Sequence, residues 1–168
     1  ALADKCRMYS HHGALKKHQH QMEGINSRLD GLQAAILSAK LPHLGDWTEK
    51  RIQSAALYDK WLADIPGIIL PRQRPDTKHT WHLYVIRSGQ REKLAAYLSG
   101  KGIETAVHYP VALPNLVVYQ YLGYKPSDFP VATRLQNEIL SLPMFPELTE
   151  EMIAYVADGV RSFIASLR

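Results

Sequence analysis

The sequence holds a single cysteine, Cys6, in 168 residues. It has no partner for an internal disulfide, which favours a reducing, cytoplasmic setting. Long apolar runs are also missing. Nothing approaches the roughly 18 consecutive apolar residues of a membrane span, and the opening "ALADKCRMYS" has no signal-peptide apolar core. No HExxH or CxxC pattern is present, so the tight ligand spacing of a zinc site is absent. There is no GxSxG elbow for a serine nucleophile, and Cys6 has no evident base beside it. A glycine-rich phosphate loop of the GxGxxG or GxxxxGK kind is lacking too. Lys and Arg are scattered and never form a run interleaved with stacking aromatics, which argues against nucleic-acid binding.

What remains is an ordinary globular composition, 46% hydrophobic and 21% charged. The length fits one domain of roughly 100–200 residues. A formal net charge of +4 and a pI near 9.2 suit anionic partners, phosphorylated small molecules among them. The chain opens in helical character without an initiator Met, which gives the expectation of a fragment.

Along the chain, Ala1 to Ser10 reads as helix and "HHGALKKHQHQMEG" as a loop, opened by Gly13 and closed by Gly24. Leu29, Leu32, Ile36 and Ala39 recur at helical spacing and predict a buried helix. Pro42 kinks or breaks it, having no N–H and a ring that clashes with the preceding turn. The pattern resumes through Leu44, Trp47, Ile52, Ala55, Tyr58 and Leu62 and stops before Pro66-Gly67. The expectation is one long bent helix or two in tandem.

Strands are expected at Ile68 to Leu70 and at Thr80 to Ile86, the latter with Trp81, Leu83 and Val85 on one face. "EKLAAYLSGKG" predicts a helix that turns Leu94, Ala95 and Leu98 inward and stops at Gly100 or Gly102. "IETAVHYP" reads as another strand. The Pro- and Gly-rich stretch after it has room for one short helix. "TRLQNEIL" is helical and leads to a brief strand, "SLPM". In the last helix Thr149 caps, Glu150 and Glu151 suit the positive dipole end, and Met152, Val156, Val160, Phe163 and Leu167 form an apolar stripe. The sum is α+β.

Eight histidines invite a metal reading. Without a completing cysteine or carboxylate at ligand spacing, solvated loop histidines are the better account. Two segments hold more promise. In "GINSRLD", Asn26 and Arg28 stand just ahead of a helix that Ser27 or Asp30 could cap without them. Read locally, Asn26 is a turn former and Arg28 a solvated flank. Read as chemistry, an amide donor and a guanidinium beside a helix start suit phosphate or carboxylate oxygens. In "VHYP", His108 and Tyr109 end a strand on opposite faces before a proline turn. They present polar groups to a cleft, or else pack and hydrogen-bond at its rim.

Taken in order, "RMYSHHG", "EGINSRLDGLQAAILSAKLPHLGDW", "HTWHLYVIR", "GIETAVHYP", "YQYLGYKPSDFP" and "LSLPMFPELTEEMI" resemble the C-terminal part of DegT-type (StrS-like) sugar aminotransferases. The resemblance covers nearly the whole chain, and the G-x-N-x-R-L-D run followed by "QAAIL" is its most specific part. It implies the small C-terminal domain of an aspartate-aminotransferase-type (fold type I) enzyme, with a linking helix and a small, mainly antiparallel sheet packed on helices. Residues 1–28 would end the large cofactor domain, and residues 29–168 would form the linking helix and small domain.

The resemblance also implies pyridoxal 5'-phosphate as cofactor, a nucleotide-linked keto sugar as substrate and glutamate as amino donor. A homodimer with a composite active site follows from it as well. Asn26 would reach the cofactor phosphate of the partner subunit, and Arg28 would line the same site. His108 and Tyr109 would lie near the nucleotide sugar, with His82 on the cleft wall. The family's Schiff-base lysine lies upstream of this region. Lys5, Lys16 and Lys17 do not fit its motif, so no catalytic residue is assigned and transamination is not expected of the piece alone. Ile25 and Ser127 stand where the family more often has another residue. A non-catalytic sensor or dimerisation module on the same scaffold is the alternative.

Overall fold

The structure, a computed structural model, describes residues 1–167. The chain divides into two compact units, the first from Ala1 to Leu44 and the second from Gly45 onward.

The first unit starts with helix α1 (Leu2–Ser10). The expected loop is instead a small hairpin, β1 (Ala14–Lys16) paired antiparallel with β2 (Gln19–His20). The polar run hides it because only Ala14 of the two strands is buried, so no apolar alternation marks them. The turn depends on positive φ at His18 (64°), and Gly13 takes φ 78° at the hairpin base. A Cβ on Gly13 would sit 1.6 Å from the Met22 carbonyl oxygen, and one on Gly24 2.3 Å from the Gly13 nitrogen. Both glycines therefore permit a backbone approach that no side chain allows.

Helix α2 (Gly31–Lys40) follows the predicted spacing but buries nothing. Leu32 is 75% exposed, and Ile36 and Leu37 are also open. The expectation of a buried helix is corrected to an amphipathic one whose apolar face is bare. Pro42 acts as predicted. It sits at the start of a 3-10 turn, Leu41–His43, that ends α2 before α3 (Leu44–Leu62) begins.

In the second unit a three-stranded antiparallel sheet runs in the order β3 (Ile68–Ile69), β4 (Tyr84–Ser88), β5 (Ile139–Leu142). Helices α4 (Arg91–Gly100), α5 (Pro130–Glu138) and α6 (Glu150–Ser166) complete it. Strand β4 starts later than the sequence suggests and with the opposite parity. Trp81 adopts φ 50° and donates its backbone N–H to His79 Nδ1 at 2.9 Å, which takes it out of the strand. Tyr84, Ile86 and Ser88 then face inward, while Val85 and Arg87 are half-buried.

"IETAVHYP" forms no strand. Ala106 alone pairs with β5, exchanging two backbone bonds with Ser141, and Pro110 further along has no N–H to offer a ladder. The following stretch makes three 3-10 turns, Leu113–Asn115, Val117–Leu122 and Pro126–Asp128.

The core joins α3, α4, α6 and the inner face of the sheet through Tyr58, Leu62, Ile86, Leu94, Leu98, Leu140, Ile153 and Val160, all essentially inaccessible. The Tyr58 and Tyr84 rings stack at 4.8 Å. Their hydroxyls are satisfied, Tyr58 donating to the Pro143 carbonyl at 3.0 Å and Tyr84 to Asp59 Oδ1 at 2.6 Å. On α6 the stripe shifts: Ile153 is buried while Met152 and Leu167, at its two ends, are half-exposed. The cap is as expected, with Thr149 Oγ1 accepting from the Met152 N–H at 3.3 Å. No described helix is long and apolar enough to cross a membrane.

Candidate functional site

The residues singled out by the sequence fall into both units, and each group has its own framework. In the first unit, Ile25 to Ser27 run extended beside the end of α1. Ile25 N–H donates to the Tyr9 carbonyl (2.7 Å), His12 N–H to the Ile25 carbonyl (3.0 Å) and Ser27 N–H to the Ser10 carbonyl (3.0 Å). Asn26 bridges to His11 within this ladder. Side chains two apart on an extended segment share a face, so Asn26 and Arg28 meet. Arg28 Nε donates to Asn26 Oδ1 at 3.0 Å. Both side chains are exposed, and the amide's two N–H donors have no protein partner among the described hydrogen bonds.

In the second unit, the single bridge at Ala106 carries His108 to the outer edge of β5, where its Nδ1 lies 2.9 Å from Ser141 Oγ. Ser141 is only 4% exposed, so it anchors the ring from within. His108 faces a cleft of about 510 Å³ that also takes in Glu104, Thr105, Phe145 and Tyr155. Tyr109, 74% exposed, turns the other way. It lines an apolar groove of about 780 Å³ with Leu113, Leu116, Leu135 and Gln136. The opposite-face expectation for the pair therefore survives the loss of the strand: their rings meet edge to face at 5.7 Å and open on different hollows. His82 is exposed and lines neither hollow, although its neighbour Leu83 borders the first.

Ser141 was missed from the sequence. The available signal was a small polar residue inside the apolar run "ILSL". The hydroxyls of Tyr84 and Tyr58 are pushed well above the ordinary tyrosine range. Burial is the cause for both, and the bond to Asp59 adds to it for Tyr84, so both stay neutral structural groups. Among the described residues no group of three His, Cys, Asp or Glu side chains is placed to hold a metal ion.

An anion is the ligand that suits the Asn26–Arg28 pair. It offers amide donors and a cation beside them, and among the described residues no carboxylate is hydrogen-bonded to either. The phosphate of a cofactor fits those donors.

The model of the DegT/DnrJ/EryC1/StrS aminotransferase family matches residues 1–161. A Geobacillus stearothermophilus relative named "Pleiotropic regulatory protein" is 44% identical over 164 residues, which is 96% of this chain and 44% of the relative. The dTDP-3-amino-3,4,6-trideoxy-alpha-D-glucose transaminase of Streptomyces venezuelae is 40% identical, with 96% and 43% covered. Among solved structures, that of S. venezuelae DesV in complex with a ketimine intermediate superposes with a TM-score of 0.91 at 37% identity. The match covers 97% of this chain and 44% of that one. The chain thus spans about 44% of the length of relatives it matches.

Proposed function

Because the chain belongs to the DegT/DnrJ/EryC1/StrS aminotransferase family, we propose that it is the C-terminal portion of a sugar aminotransferase that uses pyridoxal 5'-phosphate. The whole protein would move an amino group, with glutamate as donor, onto a nucleotide-linked keto sugar in the cytoplasm. In this reading the chain is the small domain of a fold type I enzyme. Residues 1–28 close the large cofactor domain, and residues 29–168 are the linking helix and small domain. The observation that carries it is the family match over residues 1–161 together with the paired Asn26 and Arg28.

The cofactor, when bound, supplies an electron sink for the amino transfer. This chain's own residues hold and orient. Asn26 donates its free amide hydrogens to the phosphate of the cofactor held by the partner subunit, so the homodimer's site is composite. Arg28 keeps positive charge beside that phosphate. His108, with Nδ1 engaged by Ser141, has Nε2 left to meet the nucleotide sugar, and Tyr109 supplies an exposed ring nearby. His82, which the resemblance puts on the cleft wall, lines neither hollow and is given no role. Fixing the substrate between such groups lowers the barrier by orientation, and the formal net charge of +4 favours the approach of a nucleotide diphosphate. The amino transfer itself belongs to the whole protein, because no lysine in this chain fits the family motif.

The test is reconstitution of the full-length protein with pyridoxal phosphate, followed by glutamate and nucleotide-linked keto sugars. Visible absorbance of covalently held cofactor and formation of an amino sugar are the expected results. A full-length protein that retains no cofactor overturns the reading. The Geobacillus relative's regulatory name supports a second reading, a non-catalytic sensor or dimerisation module. A family-type lysine upstream favours the enzyme, and its absence favours the sensor.

A further inference from the structure

We propose that Arg28 is a positioning residue: it acts on the cofactor phosphate through Asn26, by fixing which end of the Asn26 amide faces outward. The inference rests on the reading that Asn26 donates to that phosphate.

A carboxamide is an acceptor at one end and a donor at the other, and in an exposed position it can rotate to present either. Only the NH₂ end can bind a phosphate oxygen. A guanidinium has five N–H donors and no acceptor. Its Nε, 3.0 Å from Oδ1, can therefore face only the amide oxygen. The flipped amide would set N–H against N–H. Arg28 thus excludes the unproductive rotamer and leaves the Nδ2 donors unengaged by its own guanidinium.

The backbone makes this arrangement stiff. The bonds from Ile25 to Tyr9, His12 to Ile25 and Ser27 to Ser10 hold the segment extended, which keeps side chains 26 and 28 on one face. Committing Nε also removes the side-on fork, formed by Nε and one terminal nitrogen, through which an arginine grips an oxyanion in two-pronged fashion. Finally, a cation hydrogen-bonded to the amide oxygen polarises the amide and makes its N–H groups better donors.

The experiment is a double-mutant cycle in the full-length protein. Retention is measured both for pyridoxal phosphate and for pyridoxal, which lacks the phosphate. Asn26→Ala is expected to weaken pyridoxal phosphate retention roughly tenfold or more, the scale of a hydrogen bond to a charged group. Arg28→Met alone is expected to weaken it roughly fivefold, within the range of coupled neighbours. On top of Asn26→Ala it should add much less. Pyridoxal retention stays unchanged in all three, which a general loss of structure would not allow. Arg28→Lys, which keeps a cationic donor for Oδ1, restores most of the loss. An Arg28→Met effect equally large with and without Asn26→Ala overturns the inference, because Arg28 then touches the phosphate directly while the role of Asn26 stands. No effect of Arg28→Met also overturns it. No effect of Asn26→Ala removes the underlying reading of Asn26 itself.

Discussion

The two units of the chain are held together by different forces. From Ala1 to Leu44 only Gly13 and Ala14 are buried. Order there comes from backbone hydrogen bonds and from two glycines that let the α1 end, the hairpin base and the Asn26 segment touch. In the second unit an apolar core joins three helices and a sheet, and the hydroxyls of Tyr58 and Tyr84 inside it are paired. The difference bears on function. Asn26 and Arg28 stand on a frame that has no room for one extra methyl at Gly13. His108 hangs from a sheet edge and depends on that packing through Ser141.

Breaking the core should have the largest effect. Leu98→Ala removes a fully buried side chain between α4 and α6 and should cost the second unit about 2–5 kcal/mol, read by denaturant unfolding. A smaller loss means that the core is looser than described. Gly13→Ala forces a residue with φ 78° and a Cβ against Met22, at about 2 kcal/mol or more. Its signature is local: faster amide exchange at Ile25 and Ser27 and weaker cofactor retention, with the unfolding of the second unit unmoved. Earlier melting of the second unit as well would contradict a purely local effect.

Tyr84→Phe removes the bond to Asp59 and should cost about 1.5 kcal/mol. It should also flatten the alkaline limb. The folded-state pKa of Tyr84 lies above the unfolded value of about 10, so the folded state holds the proton more tightly. The associated stabilisation is fully present below pH ~10 and lost as pH rises beyond it. An alkaline slope identical to that of the unaltered protein would show that this hydroxyl is not buried. Smallest is Thr149→Ala, which deletes the α6 cap for about 1 kcal/mol, measurable as a lower midpoint with unchanged slope.

Much of the second unit was legible in the sequence because its signals are local. The Thr149 cap, the Leu94 and Leu98 face and the stop before Pro66-Gly67 follow from side-chain periodicity and backbone chemistry, as does the stop at Pro42 in the first unit. The hairpin at Ala14–His20 was not legible, since exposed polar strands carry no apolar alternation. The parity of β4 depended on Trp81 taking a positive φ, which no propensity for a bulky aromatic suggests. "IETAVHYP" carries strand-forming residues, yet only Ala106 finds a partner. That outcome is decided by the tertiary position of β5 and not by the segment itself. α2 showed a helical apolar spacing, but spacing does not say what covers it.

For the candidate site, the sequence singled out Asn26 and Arg28 as an unexplained polar pair. Their bond becomes visible only once the segment is known to be extended, because i and i+2 do not face each other on a helix. The anchor of His108 on Ser141 joins residues 33 apart in sequence, beyond the reach of any local motif.

The most direct test of the account is a structure of the full-length protein with pyridoxal phosphate bound, examined at Asn26. The amide nitrogen of Asn26 is expected within about 3.2 Å of a phosphate oxygen in the partner subunit's site, its oxygen still turned to Arg28. An Asn26 side chain that points into solvent, far from any cofactor phosphate, would contradict it.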